Sequence, residues 1–349
     1  MNRKVLAGVA VAVVLMAGVA AAVFVSGGDS EVAAPETTTT VTVAPTTTTA
    51  PPTFPLTGLP AADPALAARP ALVVKIDDTS KALGRQAGLN AADLVYVEKV
   101  EGGATRLAGV FHSTDADPVG PVRSARTTDA DLTANLNRPL FAFSGANQGV
   151  LDIVRGSNLV DVGYDVQPGV YQVRGSGVLR FFIATPTLFG LAPPDAGPPP
   201  PLLTFRPADQ GVTAAGAEDS GGVSISYGGQ ANTQVSYDVS GAGWARSQDG
   251  APHVEESGAR VEPTNVVVQF VDYADSGFVD VTGSPSPEAV TVGEGDAWVL
   301  TGGKLVRGRW SRPEPGAPTA YTDSAGAAIA LTPGRTWVEL APLGSAVPR

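Results

Sequence analysis

The chain has 349 residues with 23 Lys and Arg against 34 Asp and Glu, two His, no Cys, 41 Gly and 30 Pro. A net charge of -11 excludes the broad basic surface that sequence-independent nucleic-acid binding requires. The lack of cysteine excludes disulfides, thiol catalysis, a thiolate zinc site and a lipidated cysteine. The length suits two domains, and the Gly and Pro content with 6% aromatic residues favours turns and short strands over long helices.

Residues 1–28 read as a membrane anchor or signal segment. Arg3 and Lys4 precede an uncharged run from Val5 to about Val25, and Asp29, Glu31 and Glu36 follow, an order that places the basic end inside. A run of ~20 apolar residues can span a bilayer, whereas a signal-peptide core is ~7–15. A retained single-pass anchor is therefore favoured over cleavage at Ala20-Ala21-Ala22, and either outcome exports the remainder. Residues 29–54 carry a Thr/Pro tract with too little apolar surface to fold, expected as a disordered and O-glycosylatable stalk.

The expected fold class is α+β, a mixed α/β amino-terminal domain (55–192) followed by an all-β carboxy-terminal domain (202–343) and a short tail (344–349). In the first domain, alternating and apolar runs predict strands at 71–76, 93–100, 105–112, 140–143, 159–162 and 179–184, with helices at 125–135 and 147–154. The turn before 147 is expected to be a helix cap supplied by Ser144 or Asn147. The proline cluster at 193–201 continues neither helix nor ladder and predicts an exposed joint. Beyond it, strands are expected at 223–227, 234–239, 243–247, 265–272, 298–301, 304–310 and 335–340. Asp249-Gly250 and Gly302-Gly303 are expected hairpin turns, and Trp244, Trp298, Trp310 and Trp337 are expected in the core or at its rim.

The stretch 98–126 concentrates the chemistry. Gly102 and Gly103 separate two strands where the backbone needs positive φ or close approach by another group. Period-two alternation places Tyr96 and Glu98 on one face of the first strand and Arg106, Ala108, Val110 and His112 on one face of the second. Arg123 and Arg126, three residues apart, share a side if a helix has begun there, forming a planar-donor clamp for carboxylate or phosphate.

Other chemistries fit less well. Two histidines in different predicted domains make a histidine-based metal site improbable. A calcium loop at Asp115-Ala116-Asp117 lacks oxygen ligands where Val119 and Arg126 stand. No nucleophile elbow is present. Glu98 and Glu101 form the candidate carboxylate pair for glycan hydrolysis, against the reading that each pairs with an arginine. No cofactor is expected.

The runs P-L-T-G-L at 55–59, R-P-A-L-V-V-K-I-D-D at 69–78, Q-A-G-L-N-A-A-D-L-V-Y-V-E at 86–98, E-G-G-A-T-R at 101–106 and G-P-V-R-S-A-R at 120–126 resemble the YerB-like family of bacterial lipoproteins, whose domain has no known function. The likeness extends to T-P-G-R-T-W-V-E-L at 332–340. It implies an envelope location and two domains. The chain departs from the family in having no lipid-attachment cysteine and no counterpart, around Phe181–Thr185, of the family's Arg-Pro-His-Asn run, so no role of that histidine carries over.

These observations define an expected anion-binding module of the cell envelope, its ligand a wall glycan, phosphate or carboxylate. Glu98, Glu101, Gly102, Gly103, Thr105, Arg106, Arg123, Ser124 and Arg126 are the candidate ligand-binding residues. A carboxylate-dependent wall hydrolase using Glu98 and Glu101 and a scaffold for envelope proteins are the alternatives. A structural salt-bridge network completed by Asp115, Asp117, Asp129 and Asp131 stands as the competing account of the arginines.

Overall fold

The large apolar residues of the run at 71–77 are inaccessible on both faces, which is the pattern of a strand at the centre of a covered sheet. The computed structural model describes residues 52–241 and 243–349; the anchor or signal segment and nearly all of the stalk lie outside the described residues. Among the described residues, no helix is long and apolar enough to cross a membrane.

In chain order the first part contains α1 (Pro64–Ala68), β1 (Leu72–Asp77), β2 (Leu94–Lys99), β3 (Thr105–Phe111), α2 (Thr128–Thr133), β4 (Leu140–Ala142), α3 (Gln148–Gly156), β5 (Val160–Asp161), β6 (Tyr171–Val173), β7 (Phe181–Ile183) and α4 (Thr185–Phe189). The second part is built of strands: β8 (Glu218–Asp219), β9 (Gly222–Ser226), β10 (Gln234–Val239), β11 (Trp244–Gln248), β12 (Ala251–Pro252), β13 (Asn265–Val271), β14 (Tyr273–Val279), β15 (Pro285–Ala289), β16 (Gly293–Thr301), β17 (Lys304–Arg312), β18 (Ala320–Thr322), β19 (Thr336–Pro342) and β20 (Ala346–Pro348). The fold is thus α+β, mixed at first and strand-only afterwards.

One sheet runs through both parts in the order β18-β17-β16-β13-β19-β2-β3-β1-β4-β5, with β8 also paired to β17. The join is parallel pairing of β19 with β2, from Thr336 opposite Leu94 to Glu339 opposite Val97. The described residues from 52 onward accordingly form one unit. A five-stranded sheet, β12-β11-β10-β9-β20, and the β14–β15 hairpin complete the second part.

Apolar side chains fill both faces of the large sheet: Leu72, Val74, Val95, Val97 and Leu107 on one, Val73, Leu94, Ala108 and Val110 on the other. Trp244, Trp310 and Trp337 are buried and Trp298 is half-buried, edge-on to Phe270. Both expected hairpin turns form, with positive φ at Asp249, Gly250, Gly302 and Gly303. Asn147 caps α3, accepting from Gly149 N–H at 3.0 Å.

One expectation is corrected, and one element was not anticipated. The helix read at 125–135 is confined to Thr128–Thr133, because the preceding backbone is used elsewhere: Arg123 N–H donates to Lys75 carbonyl and Ala125 N–H to Gly145 carbonyl. Arg123 and Arg126 therefore do not share a helix face. The β14–β15 hairpin is absent from the sequence reading, since its Asp, Gly, Ser and Pro residues resemble a loop.

Candidate functional site

Cross-strand register organises the polar face of the sheet. Arg106 on β3 lies opposite Asp77 on β1 and opposite Glu98 on β2, so three charged residues form one row across three strands. The next row holds Lys75, Ala108 and Tyr96. Directly opposed residues share a face, so the register brings Glu98 and Arg106 together.

The charges then sort themselves. Lys75, fully buried, pairs with Glu98 and, at 2.7 Å, with Asp129. Arg123 pairs with Asp77. Arg126 reaches Glu101 at 2.6 Å, and the other Glu101 oxygen accepts from the Ser286 hydroxyl of β15. Arg126 and Ser286 hold the Glu101 carboxyl below its usual value against the opposing effect of burial. Burial is the largest influence on Glu98 and raises it, with Lys75 opposing.

Arg106 is left over. It is 3% exposed, its Nε meets no acceptor, and its Nη1 makes one long hydrogen bond, to Ser124 carbonyl at 3.5 Å. Desolvation brings its guanidinium down to about 10, with the Arg126 charge adding to the effect. A buried cation whose neighbouring carboxylates are already taken is costly unless something else meets it.

Arg106 faces a cavity of about 490 Å³. Arg123, Ser124, Arg126 and Glu101 line it too, with Asn147 at the start of α3, and Val279, Asp280, Val281 and Ser286 of the hairpin form its far wall. Gly102 and Gly103 instead border a second cavity of about 370 Å³ with Tyr273 and Pro285. The close approach at Gly103 is made by the chain itself. Its φ is +84°, and a side chain there would collide with the backbone of Gly228 and Gly229.

Thr105 and Glu98 lie outside both cavity linings. Thr105 is buried and donates to Asp78 at 2.7 Å. Asp78 in turn pairs with Arg246 at 2.9 Å, tying the two parts of the chain through a buried network that includes Gln86, Gln248 and His253. Sequence reasoning missed Lys75, Asp77, Asp78 and Ser286. For the first three a signal existed: charges inside or at the end of a wholly apolar strand are almost never buried without a partner.

Of the aspartates expected to complete an arginine network, Asp129 pairs with Lys75, Asp115 with Arg69, and Asp117 accepts from Gln172. The Asp131 carbonyl accepts from Arg312. Among the described residues, no group of three or more His, Cys, Asp or Glu is placed to hold a metal ion.

An α+β protein, rich in strands, with an arginine-lined cavity roofed by a hairpin from its second half is the class these features define. The chain belongs to the family described as "Protein of unknown function (DUF3048)": its N-terminal domain matches residues 56–175 and its C-terminal domain residues 223–338. It is 27% identical over 305 residues to "Putative lipoprotein YerB" of Bacillus subtilis (strain 168), covering 82% of this chain and 86% of that protein. The crystal structure of YerB from Bacillus subtilis superposes with a TM-score of 0.72 at 21% identity, over 85% of this chain and 99% of the other. That likeness establishes the fold.

Proposed function

We propose that the chain is an exported cell-envelope protein that binds an anionic group of an envelope component in the arginine-lined cavity. The apolar segment after Arg3 and Lys4 would hold it at the membrane, with the folded part outside, or would be cleaved to release it. The similarity to a protein described as a lipoprotein supports the envelope location, and the basic–apolar–acidic order of the first residues supports the orientation.

One observation carries the ligand reading: Arg106 is buried, has an unpartnered Nε and faces the cavity. A phosphate or carboxylate entering there would accept from Arg106 and draw Arg123 and Arg126 inward as planar donors. Asn147 and the start of α3 add the positive end of a helix dipole. Glu101 acts as the gatekeeper, because an incoming anion competes with it for Arg126.

The hydrolase reading is less favoured, because Glu98 is occupied by Lys75 and lies outside the cavity lining. Variants of a fragment from Phe54 to Arg349 separate the two. Arg123→Ala should abolish retention on insoluble cell-wall material, with no soluble glycan released by the wild type. Glycan release that Glu98→Gln and Glu101→Gln eliminate, with retention kept, would instead establish the enzyme.

A further inference from the structure

The group formed by Lys75, Glu98 and Asp129 is used by neither cavity and is sealed from solvent, its side chains 0%, 1% and 0% exposed. An amine touching two carboxyls in such a place has the parts for more than an ion pair. We propose that Lys75 and Asp129 join through a spontaneous intramolecular amide bond, with Glu98 as the proton carrier.

The two carboxyls are not equivalent. Asp129 Oδ1 meets Lys75 Nζ at 2.7 Å, while Oδ2 accepts from Arg126 N–H at 2.7 Å. A tetrahedral intermediate at Asp129 Cγ would place its negative oxygen on that fixed backbone donor. Glu98 has no such donor. One of its oxygens is on Lys75 and the other, Oε2, is buried without a partner, leaving it able to take up and return a proton.

The step balances without an oxidant or co-reactant. The Lys75 ammonium passes one proton to Asp129 Oδ1, leaving an amine beside a carboxylic acid. Nζ then attacks Cγ, Glu98 accepts the proton shed by nitrogen, and it delivers that proton to the departing Oδ1 hydroxyl. A C–N bond forms, a C–O bond breaks and one water leaves, while Glu98 ends as it began. Folding supplies the proximity, which in fixed geometry raises effective concentration by orders of magnitude. Burial supplies the drive, since a neutral amide replaces the desolvated charges of Lys75 and Asp129 while its N–H remains as the donor to Glu98.

Such a bond would tie β1 to α2, immediately below the segment carrying Arg123 and Arg126. In a chain without cysteine it would be a covalent staple outside the reach of reductants. The test is peptide mapping of the full-length wild-type chain, extracted in detergent, denatured and digested with trypsin. A branched peptide joining Lys75 to Asp129, lighter than its two arms by one water and uncleaved after Lys75, is expected at near-complete occupancy. Glu98→Gln should lower that occupancy at least tenfold, and Lys75→Arg should abolish it. Linear peptides cleaved after Lys75 in the wild type would overturn the proposal without reference to any variant, as would a branch at Glu98 in place of Asp129.

Discussion

Arg106→Met distinguishes a binding residue from a structural one. The substitution keeps an unbranched apolar stem in the sheet and deletes a charged head whose Nε has no acceptor and whose one protein hydrogen bond is 3.5 Å long. Burial and the Arg126 charge bring that guanidinium well below the usual arginine range, to about 10, which corresponds to a bias of about 3 kcal/mol against the charged form in the folded state. Part of that is regained when the head is removed, offset by lost packing and by the weaker field on Glu98. Stability should therefore stay within about 1 kcal/mol of wild type or rise by up to about 2. Anion binding should fall at least tenfold, as expected for the loss of charge-assisted hydrogen bonds worth about 1.5–3 kcal/mol. Urea denaturation, with an unchanged slope as evidence of the same unfolding, measures the first quantity. A loss of about 3 kcal/mol or more would refute the reasoning, because that is the signature of breaking a paired buried ion.

Lys75→Met is the contrasting case: it removes the one group that meets Glu98 and Asp129, whether as ion pair or as amide, and should cost about 3–5 kcal/mol by the same assay. Gly103→Ala should destabilise markedly, because positive φ and collision with Gly228–Gly229 act together, whereas Gly102→Ala, with φ +70° and open space, should cost only about 1 kcal/mol. His112, buried against Phe54, is held down to about 4 by desolvation and the Arg69 charge. The unfolded chain therefore binds the proton first: the contribution is complete above about pH 6.5 and is lost as pH falls toward 4. His112→Phe should flatten that part of the stability profile measured by thermal unfolding. Glu101, held below 4.5 by Arg126 and Ser286, contributes stability above that pH and loses it as pH falls further. Glu101→Gln should remove this acid-side dependence and, by freeing Arg126, tighten anion binding several-fold in equilibrium titrations.

The strands around the site were legible because period-two alternation is strong in 93–100 and 105–112; it gave the face of each residue within its own strand, and only the register of the folded sheet sets Glu98 beside Arg106. Leu132 and Leu136 stand about one helical turn apart and are both buried, a spacing that fits the helix expected over 125–135, yet the backbone of 123–125 hydrogen-bonds to β1 and Gly145; long-range pairing outweighed local periodicity. The hairpin that walls the cavity was illegible for a different reason. Its packing partners, Thr128 with Ala289 N–H and Gly149 beside Phe278, are about 130–160 residues away in sequence, so nothing local marks 273–289 as strand. Lys75 was overlooked because a lone charge in an apolar run carries no information about which carboxylates will meet it. Asp77 and Arg123 show the same limit, being partners 46 residues apart.

The central claim is that Arg106 is kept unpaired for an anion. Co-sedimentation of the fragment from Phe54 to Arg349 with purified insoluble cell-wall material, wild type beside Arg106→Met, tests it most directly when both proteins are shown to be folded. The account predicts that the wild type pellets with the wall, is released by added inorganic phosphate or salt, and that the variant stays soluble. Equal pelleting of the two proteins, or no pelleting of either, would contradict it.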